Sequence, residues 1–256
     1  MSFDIRTANL DRLNSLTKYP SIPTYHALDP SNGNLLEQPT PFEGPVVLTE
    51  KIDGTNARIV CLPDGMYVIG SRGEFLLARG DLIGNPALGI VEALRPVADA
   101  LCATHTRDTM LIFFGEVYGG KVTSASKQYT SARRVGFRLF DIAEISDYDA
   151  LLRRPTQALS AWRENGGQTF WHEDALQEAA ETHNLMLTPR LGEHAALPQD
   201  LGGAYALLQE VIPKTRSALD EGAGGQPEGI VARSHDRRTI AKLRFADYRR
   251  TFKRRR

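Results

Sequence analysis

The chain lacks most of the features that mark membrane proteins, secreted scaffolds and dinucleotide-binding enzymes. None of its apolar runs is long enough to span a bilayer, and the opening Met1-Ser2-Phe3-Asp4-Ile5-Arg6 lacks the basic-then-apolar layout of a signal peptide. Only two cysteines occur, Cys61 and Cys102, with no C-x-x-C spacing. A disulfide framework is therefore not expected, which fits a reducing cytoplasm. The six histidines are scattered and none pairs at metal-ligand spacing. No Gly-x-Gly-x-x-Gly or Gly-x-x-x-x-Gly-Lys-Ser/Thr element is present, which argues against a Rossmann or P-loop nucleotide site. Charge of one sign is missing too. The 31 Lys and Arg balance the 31 Asp and Glu, so net charge gives no sign of a polyanionic partner.

What is present suits a globular chain of one large domain or two small ones, with 41% apolar and 24% charged residues supporting a sizeable core. Composition and periodicity predict a short helix over 9–17, an extended stretch through the prolines at 19–23, and loop over 29–45. Strands are expected at 46–50, 56–62 and 66–70, the last two joined by the turn Pro63-Asp64-Gly65, then at 109–117 and 135–142. Helices are expected over 86–103, 148–162, 173–184 and 201–217, and two short strands over 228–233 and 239–244. Hairpins dominate over βαβ units, which indicates an α+β fold of mostly antiparallel sheets. The end, from Tyr248 to Arg256, is a basic run with interleaved aromatics. It suits phosphate neutralisation or, equally, a solvated tail.

The sharpest chemistry lies in Glu50-Lys51-Ile52-Asp53-Gly54-Thr55-Asn56. A lysine closes an apolar strand and is followed by an acid, a glycine suited to a tight turn, and an amide. Lysine is a nucleophile only as the free amine, which burial or neighbouring cations favour. Taken alone, Lys-x-Asp-Gly is more often a surface lysine before a β-turn. Further functional side chains stand in or beside expected strands in the same manner. They are Arg72 after Ser71, Glu116 within Phe113-Phe114-Gly115-Glu116-Val117, and Phe140 in Phe137-Arg138-Leu139-Phe140-Asp141-Ile142. Glu228-Gly229 opens a further strand, and Lys242-Leu243-Arg244 puts two cations on one strand face. Each has a structural explanation by itself; their joint order does not.

That order resembles the covalent nucleotidyltransferase superfamily of ATP-dependent DNA ligases, RNA ligases and mRNA capping enzymes. The likeness spans roughly 46–244. Within it, Lys18-Tyr19-Pro20-Ser21-Ile22, Gly54-Thr55-Asn56 and Phe140-Asp141-Ile142 are similar to nick-sealing phage-type RNA ligases. The resemblance implies an α+β, ATP-grasp-like nucleotidyltransferase core of mostly antiparallel sheets with flanking helices. It divides the chain into an N-terminal extension packed on the core (1–45), an adenylation domain (46–244) and a basic tail (245–256), with no room for a C-terminal OB domain. Lys51 would attack the α-phosphate of ATP and carry AMP. AMP would pass to a 5′-phosphate end, and a 3′-hydroxyl would then expel it. Asp53, Glu228, Lys242 and Arg244 would join Lys51 in catalysis. Glu50, Asn56, Arg72, Glu116 and Phe140 would complete the nucleotide site, with Ile230 or Val231 opposite Phe140. Asp53 and Glu228 would hold Mg²⁺ or Mn²⁺, directly or through water. Arg244 departs from the usual lysine, exchanging a point charge for a planar fork. The implied partner is nucleic acid, RNA first, with a protein partner as a further source of substrate grip and no membrane. The rivals are a DNA ligase, a capping guanylyltransferase, or a non-catalytic nucleic-acid-binding module of the same fold.

Overall fold

The computed structural model describes residues 3–103, 105 and 108–254. The first helix, α1 (Leu10–Thr17), starts where Asn9 accepts the Arg12 N–H at 3.0 Å, and Leu13 and Leu16 on its inner face are fully buried. Prolines 20 and 23 keep the next stretch extended, as expected. The stretch read as loop from residue 29 instead holds a strand. Strands β1 (His26–Leu28) and β2 (Leu35–Pro39) form a hairpin. The Asp29 carboxylate shapes its turn, accepting from the Ser31 N–H and the Asn32 side-chain amide at 2.8 Å each. Buried Leu35 anchors the return strand.

Strand β3 (Val46–Lys51) then turns through residues 52–54 into β4 (Thr55–Cys61). Strands β5 (Tyr67–Ser71), β6 (Phe75–Ala78) and β7 (Asp81–Leu82) extend the meander; the last two were not legible as strands. Helix α2 (Ile90–Ala103) covers the sheet and is followed by β8 (Met110–Gly119) and β9 (Val135–Ile145). The helix expected over 148–162 is two, α3 (Tyr148–Leu152) and α4 (Thr156–Glu164), because Pro155 lacks an N–H and disfavours helix in its predecessor. Strand β10 (Thr169–Phe170), α5 (Glu173–Thr182), β11 (Arg190–His194) and α6 (Leu201–Val211) follow. Helix α6 ends six residues short of expectation, just before Pro213. The chain closes with β12 (Gly229–Ser234), β13 (Ile240–Arg244) and α7 (Phe245–Arg254).

The strands make two main antiparallel sheets. One has seven strands in the order β10-β9-β8-β4-β5-β6-β7, the other four in the order β11-β3-β12-β13. The 52–54 turn therefore carries the chain from one sheet directly into the other. Each sheet has its own apolar packing. Helix α2 and the inner face of α5 cover one side of the large sheet, while α1, α3 and α4 cover the other. Helices α6 and α7 cover the small sheet.

The basic run at the end is corrected from tail to helix. Phe245 and Tyr248 of α7 are buried, and Tyr205 of α6 packs against the rings of Phe245, Tyr248 and Phe252. Each such anchor contributes about 1.5–3 kcal/mol by leaving water. The cysteines are also corrected. Cys61 on β4 and Cys102 on α2 form a disulfide, their Cα atoms 5.6 Å apart, because α2 packs across β4. Among the described residues no helix is long and apolar enough to cross a membrane.

Candidate active site

A cleft of about 480 Å³ opens between the two sheets. The small sheet contributes Thr49, Lys51, Val231, Arg233, Lys242 and Arg244, and the large sheet Thr55, Asn56, Glu116 and Phe140. The extended segment Tyr19-Pro20-Ser21-Ile22 forms one lip. Its place is set at both ends. The Tyr19 hydroxyl donates to Asp141 of β9 at 2.7 Å, and the Lys242 N–H of β13 donates to the Pro23 carbonyl at 2.9 Å. Of the ten residues singled out in the sequence, nine border this cleft. Asp53 stands just outside it, in the turn.

Strand pairing explains the convergence. Lys51 pairs with Gly229, and Gly229 pairs with Arg244, so the ends of three strands meet. Glu228, one residue before Gly229, accepts from the Lys51 Nζ at 2.6 Å, and Arg244 approaches its other oxygen at 3.7 Å. The pair is about one-quarter exposed, so it remains open to a ligand. In the next sheet, Asn56 pairs with Glu116. Gly54 links the two arrangements: a Cβ there would overlap the Val117 carbonyl oxygen, so only glycine lets the turn approach β8 this closely.

The cleft concentrates charge. Loss of water pushes the Glu116 carboxyl up to about 8; Lys51 opposes the rise, as does the Gly54 N–H, while Glu228 and Asp53 add to it. Asp53 is likewise raised, first by burial and then by Glu228. Burial, with Arg244 and Lys51 nearby, holds the Lys242 ammonium below the ordinary lysine value. Carboxyls gathered this closely, two of them resisting ionisation, suit a cation. Among the described residues, however, no three His, Cys, Asp or Glu side chains are arranged to hold a metal. A divalent ion here would have to take most of its oxygens from phosphates and water. Asn56 adds an unmet need, because its Oδ1 is buried without a hydrogen-bond partner. Such an atom costs about 1–3 kcal/mol until a donor reaches it.

The surroundings of each side chain separate their roles. Glu50 borders the cleft, but strand alternation turns it away from Lys51. Its carboxylate accepts from the Arg216 N–H at 2.8 Å, from the Ser217 hydroxyl at 3.1 Å and from the Thr215 hydroxyl. Glu50 thus braces the base of the strand that ends in Lys51. Of the two candidates opposite Phe140, Val231 lines the cleft, while Ile230 is fully buried in the core of the small sheet. Phe140 is half-buried, edge-on to Tyr19 at 5.0 Å. Arg72 is exposed at the rim. The Arg244 fork is held by the buried Asp247, which accepts at 2.7 and 3.1 Å. Burial would lower the Arg244 pKa, but Asp247 keeps it above the ordinary arginine value.

Sequence reasoning missed a buried ionic frame at the back of the cleft. Arg233 of β12 donates to the Phe140 carbonyl at 2.9 Å and lies 3.4 Å from both Asp141 and Glu173. Arg237 donates to Asp141 and to the Tyr19 hydroxyl at 2.6 Å each. The only signal was position: Asp141 and Arg233 stand in the strands already singled out for Phe140 and Glu228. Thr188, from a stretch with no readable motif, also lines the cleft.

The family model for RNA ligases matches residues 44–254, most of the chain. This chain belongs to the RNA ligase family. Solved structures of RNA ligases share the fold. The Naegleria gruberi RNA ligase with PPi superposes with a TM-score of 0.55 at 15% identity, covering 82% of this chain and 52% of that one. A mutant of the same ligase with ATP and Mn gives 0.58 at 14% identity, covering 91% and 57%. An archaeal ATP-dependent RNA ligase gives 0.55 at 18%, covering 90% and 49%. The chain thus spans about half the length of these ligases. No curated protein sequence matches it.

Proposed function

We propose that this RNA ligase family member joins polynucleotide ends, RNA first, through an AMP held covalently on Lys51. The observation that carries the reading is the Lys51 Nζ, 2.6 Å from Glu228 at the mouth of a 480 Å³ cleft walled by Phe140, Lys242 and Arg244. A cleft of this size suits a nucleotide. Phe140 and Val231 offer the adenine an apolar slot. Glu116, largely neutral at pH 7, and the unpartnered Asn56 Oδ1 offer partners to the ribose hydroxyls. Arg72 at the rim is a further donor. Lys242 and Arg244 face the triphosphate.

In the first step the Lys51 nitrogen attacks the α-phosphorus, a P–N bond forms, and the bond to the bridging oxygen breaks to release pyrophosphate. The ammonium must shed its protons, and Glu228 Oε2 is the atom placed to accept one. Asp53 and Glu228 are the candidates to hold a divalent ion, Mg²⁺ or Mn²⁺, which would neutralise charge on the phosphates. AMP then passes to a 5′-phosphate, and a 3′-hydroxyl attacks that end and expels AMP. The structures of relatives with ATP and Mn, and with PPi, support the nucleotide and divalent-ion assignment.

Incubation with α-phosphate-labelled ATP and Mg²⁺ should label the wild-type protein, and Lys51→Ala should abolish the label, a drop beyond about a thousandfold. Labelling retained in K51A, or a preference for GTP, would overturn the assignment.

A further inference from the structure

Charge balance over the whole chain hides a local asymmetry. Between Glu116 and Asp141 lie 24 residues without one Asp or Glu, carrying Lys121, Lys127, Arg133, Arg134 and Arg138. Arg138 points inward, donating to the Tyr118 hydroxyl and the Leu187 carbonyl. The other four sit on the exposed connection between β8 and β9. Among the described residues none of the four forms an ion pair. Arg134 alone has a side-chain partner, the Leu219 carbonyl at 3.4 Å.

This connection is tied to the turn that follows the nucleophile. The Asp53 N–H donates to the Tyr129 hydroxyl at 2.7 Å, and the Thr123 hydroxyl donates to the Asp53 carbonyl at 3.2 Å. Beneath it, Ile52, Tyr118, Ala125 and Tyr129 pack as one apolar cluster. From the other side Asp220 accepts from the Ser131 N–H at 3.0 Å, the Ser131 hydroxyl at 2.8 Å and the Ala132 N–H at 3.1 Å, and from Thr130. That carboxylate is thereby engaged with the loop rather than with the cations, and Glu221 follows it in the chain. The cations are displayed on a braced surface and need little ordering to bind.

The basic helix α7 is the obvious competitor, and its arginines are already occupied. Arg250 donates to Gly33 and Asp247, Arg254 to the Asn32 carbonyl at 3.2 Å, and Arg249 to Gln226. Arg250 and Arg254 fasten the helix to the β1–β2 hairpin, and Arg249 ties it to the segment before β12.

We propose that the 120–134 connection, through Lys121, Lys127, Arg133 and Arg134, docks the sugar-phosphate backbone of the polynucleotide whose end reacts at Lys51. The proposal rests on the ligase reading for the identity of that end, but the surface makes a separate prediction. Four cations free of ion pairs on an acid-free loop neutralise phosphates whatever the base sequence.

The test is fluorescence anisotropy of the whole protein with nicked duplex RNA, single-stranded RNA and their DNA counterparts across a salt series. The variant is K121A/K127A/R133N; asparagine is used because it tolerates the positive φ of 58° at residue 133. Affinity should fall at least about tenfold at low salt, and the slope of log affinity against log salt should shrink by about 2–3, the value for three lost phosphate contacts. The charge-keeping variant K121R/K127R/R133K should restore both. K253A on α7 should change affinity less than about threefold, as expected for one phosphate contact or none. Whichever of RNA and DNA shows the larger loss identifies the strand type.

An unchanged salt slope, wild-type protein that binds no polynucleotide, or a larger loss in K253A overturns the proposal. ATP labelling of the same preparations separates the two claims. Label retained in the triple variant shows an intact fold and nucleotide site. Wild-type protein that binds polynucleotide yet takes no label would fail the ligase reading alone.

Discussion

The cleft holds two clusters of the same residue types, and they differ in access to water. At its mouth, Lys51, Glu228 and Arg244 are partly exposed and joined by one short bond and one long approach. At its back, Asp141, Arg233, Arg237 and Glu173 are buried and bonded to one another, to Tyr19 and to Arg190. A partly exposed pair contributes about 0–1 kcal/mol to stability, and its groups can exchange partners when a ligand arrives. A buried network is costly to break, because a lone charge is left without water. The mouth is thus free to exchange partners, while the back holds the sheets in register.

Substitutions that separate these roles should break or sharpen the contrast. Glu228→Gln removes the acceptor beside Lys51 and should slow lysine labelling at least about a hundredfold, with stability changed by no more than about 1 kcal/mol. Asp141→Asn should do the reverse. It leaves Arg233 and Arg237 short of a counter-charge and should cost about 3–5 kcal/mol in denaturant unfolding. If E228Q proves the more destabilising of the two, the division between mouth and back is wrong. Phe140→Ala touches the slot without the charges and should raise the KM for ATP about tenfold, roughly 1.4 kcal/mol.

A pH series sharpens the same comparison through Glu116. Its folded-state pKa of about 8 lies above the unfolded value of about 4.3, so folding favours the neutral acid. That contribution is complete below about pH 4 and is lost as pH rises through about 8. Glu116→Gln, which stays neutral, should gain in Tm over wild type from about pH 4 to about pH 8 and level off beyond, by a few degrees because the cleft is open to solvent. The smallest effect is expected for Arg244→Lys. It keeps the charge but offers Asp247 one nitrogen in place of the two of the guanidinium fork, and labelling should fall less than about tenfold.

The residues that line the cleft were legible as short runs in or beside strands, with Lys51, Glu228 and Arg244 at strand ends and Glu116 and Phe140 within β8 and β9. The sheets were legible where β-branched and apolar runs were long, as in β3 and β8. Strand β2 was not, since Leu35 is its only buried residue and Pro39 ends it. Pro155 and Pro213 are the local breakers that split the helical stretch over 148–162 and end α6 early, against a helix-favouring composition on either side. The frame of Asp141, Arg233, Arg237 and Glu173 was not legible, because its members lie up to 96 residues apart and meet only when two sheets and α5 pack together. The disulfide was hidden for the same reason.

The register of β12 against β3 ties the interior to the chemistry. Ile230 and Ala232 face the core while Val231 and Arg233 face the cleft. A slip by one residue would expel the apolar pair and draw a guanidinium inward, so the packing that keeps the protein folded also proofreads the alignment of Lys51 with Glu228. Insertions in β12 should consequently never survive as soluble but inactive protein.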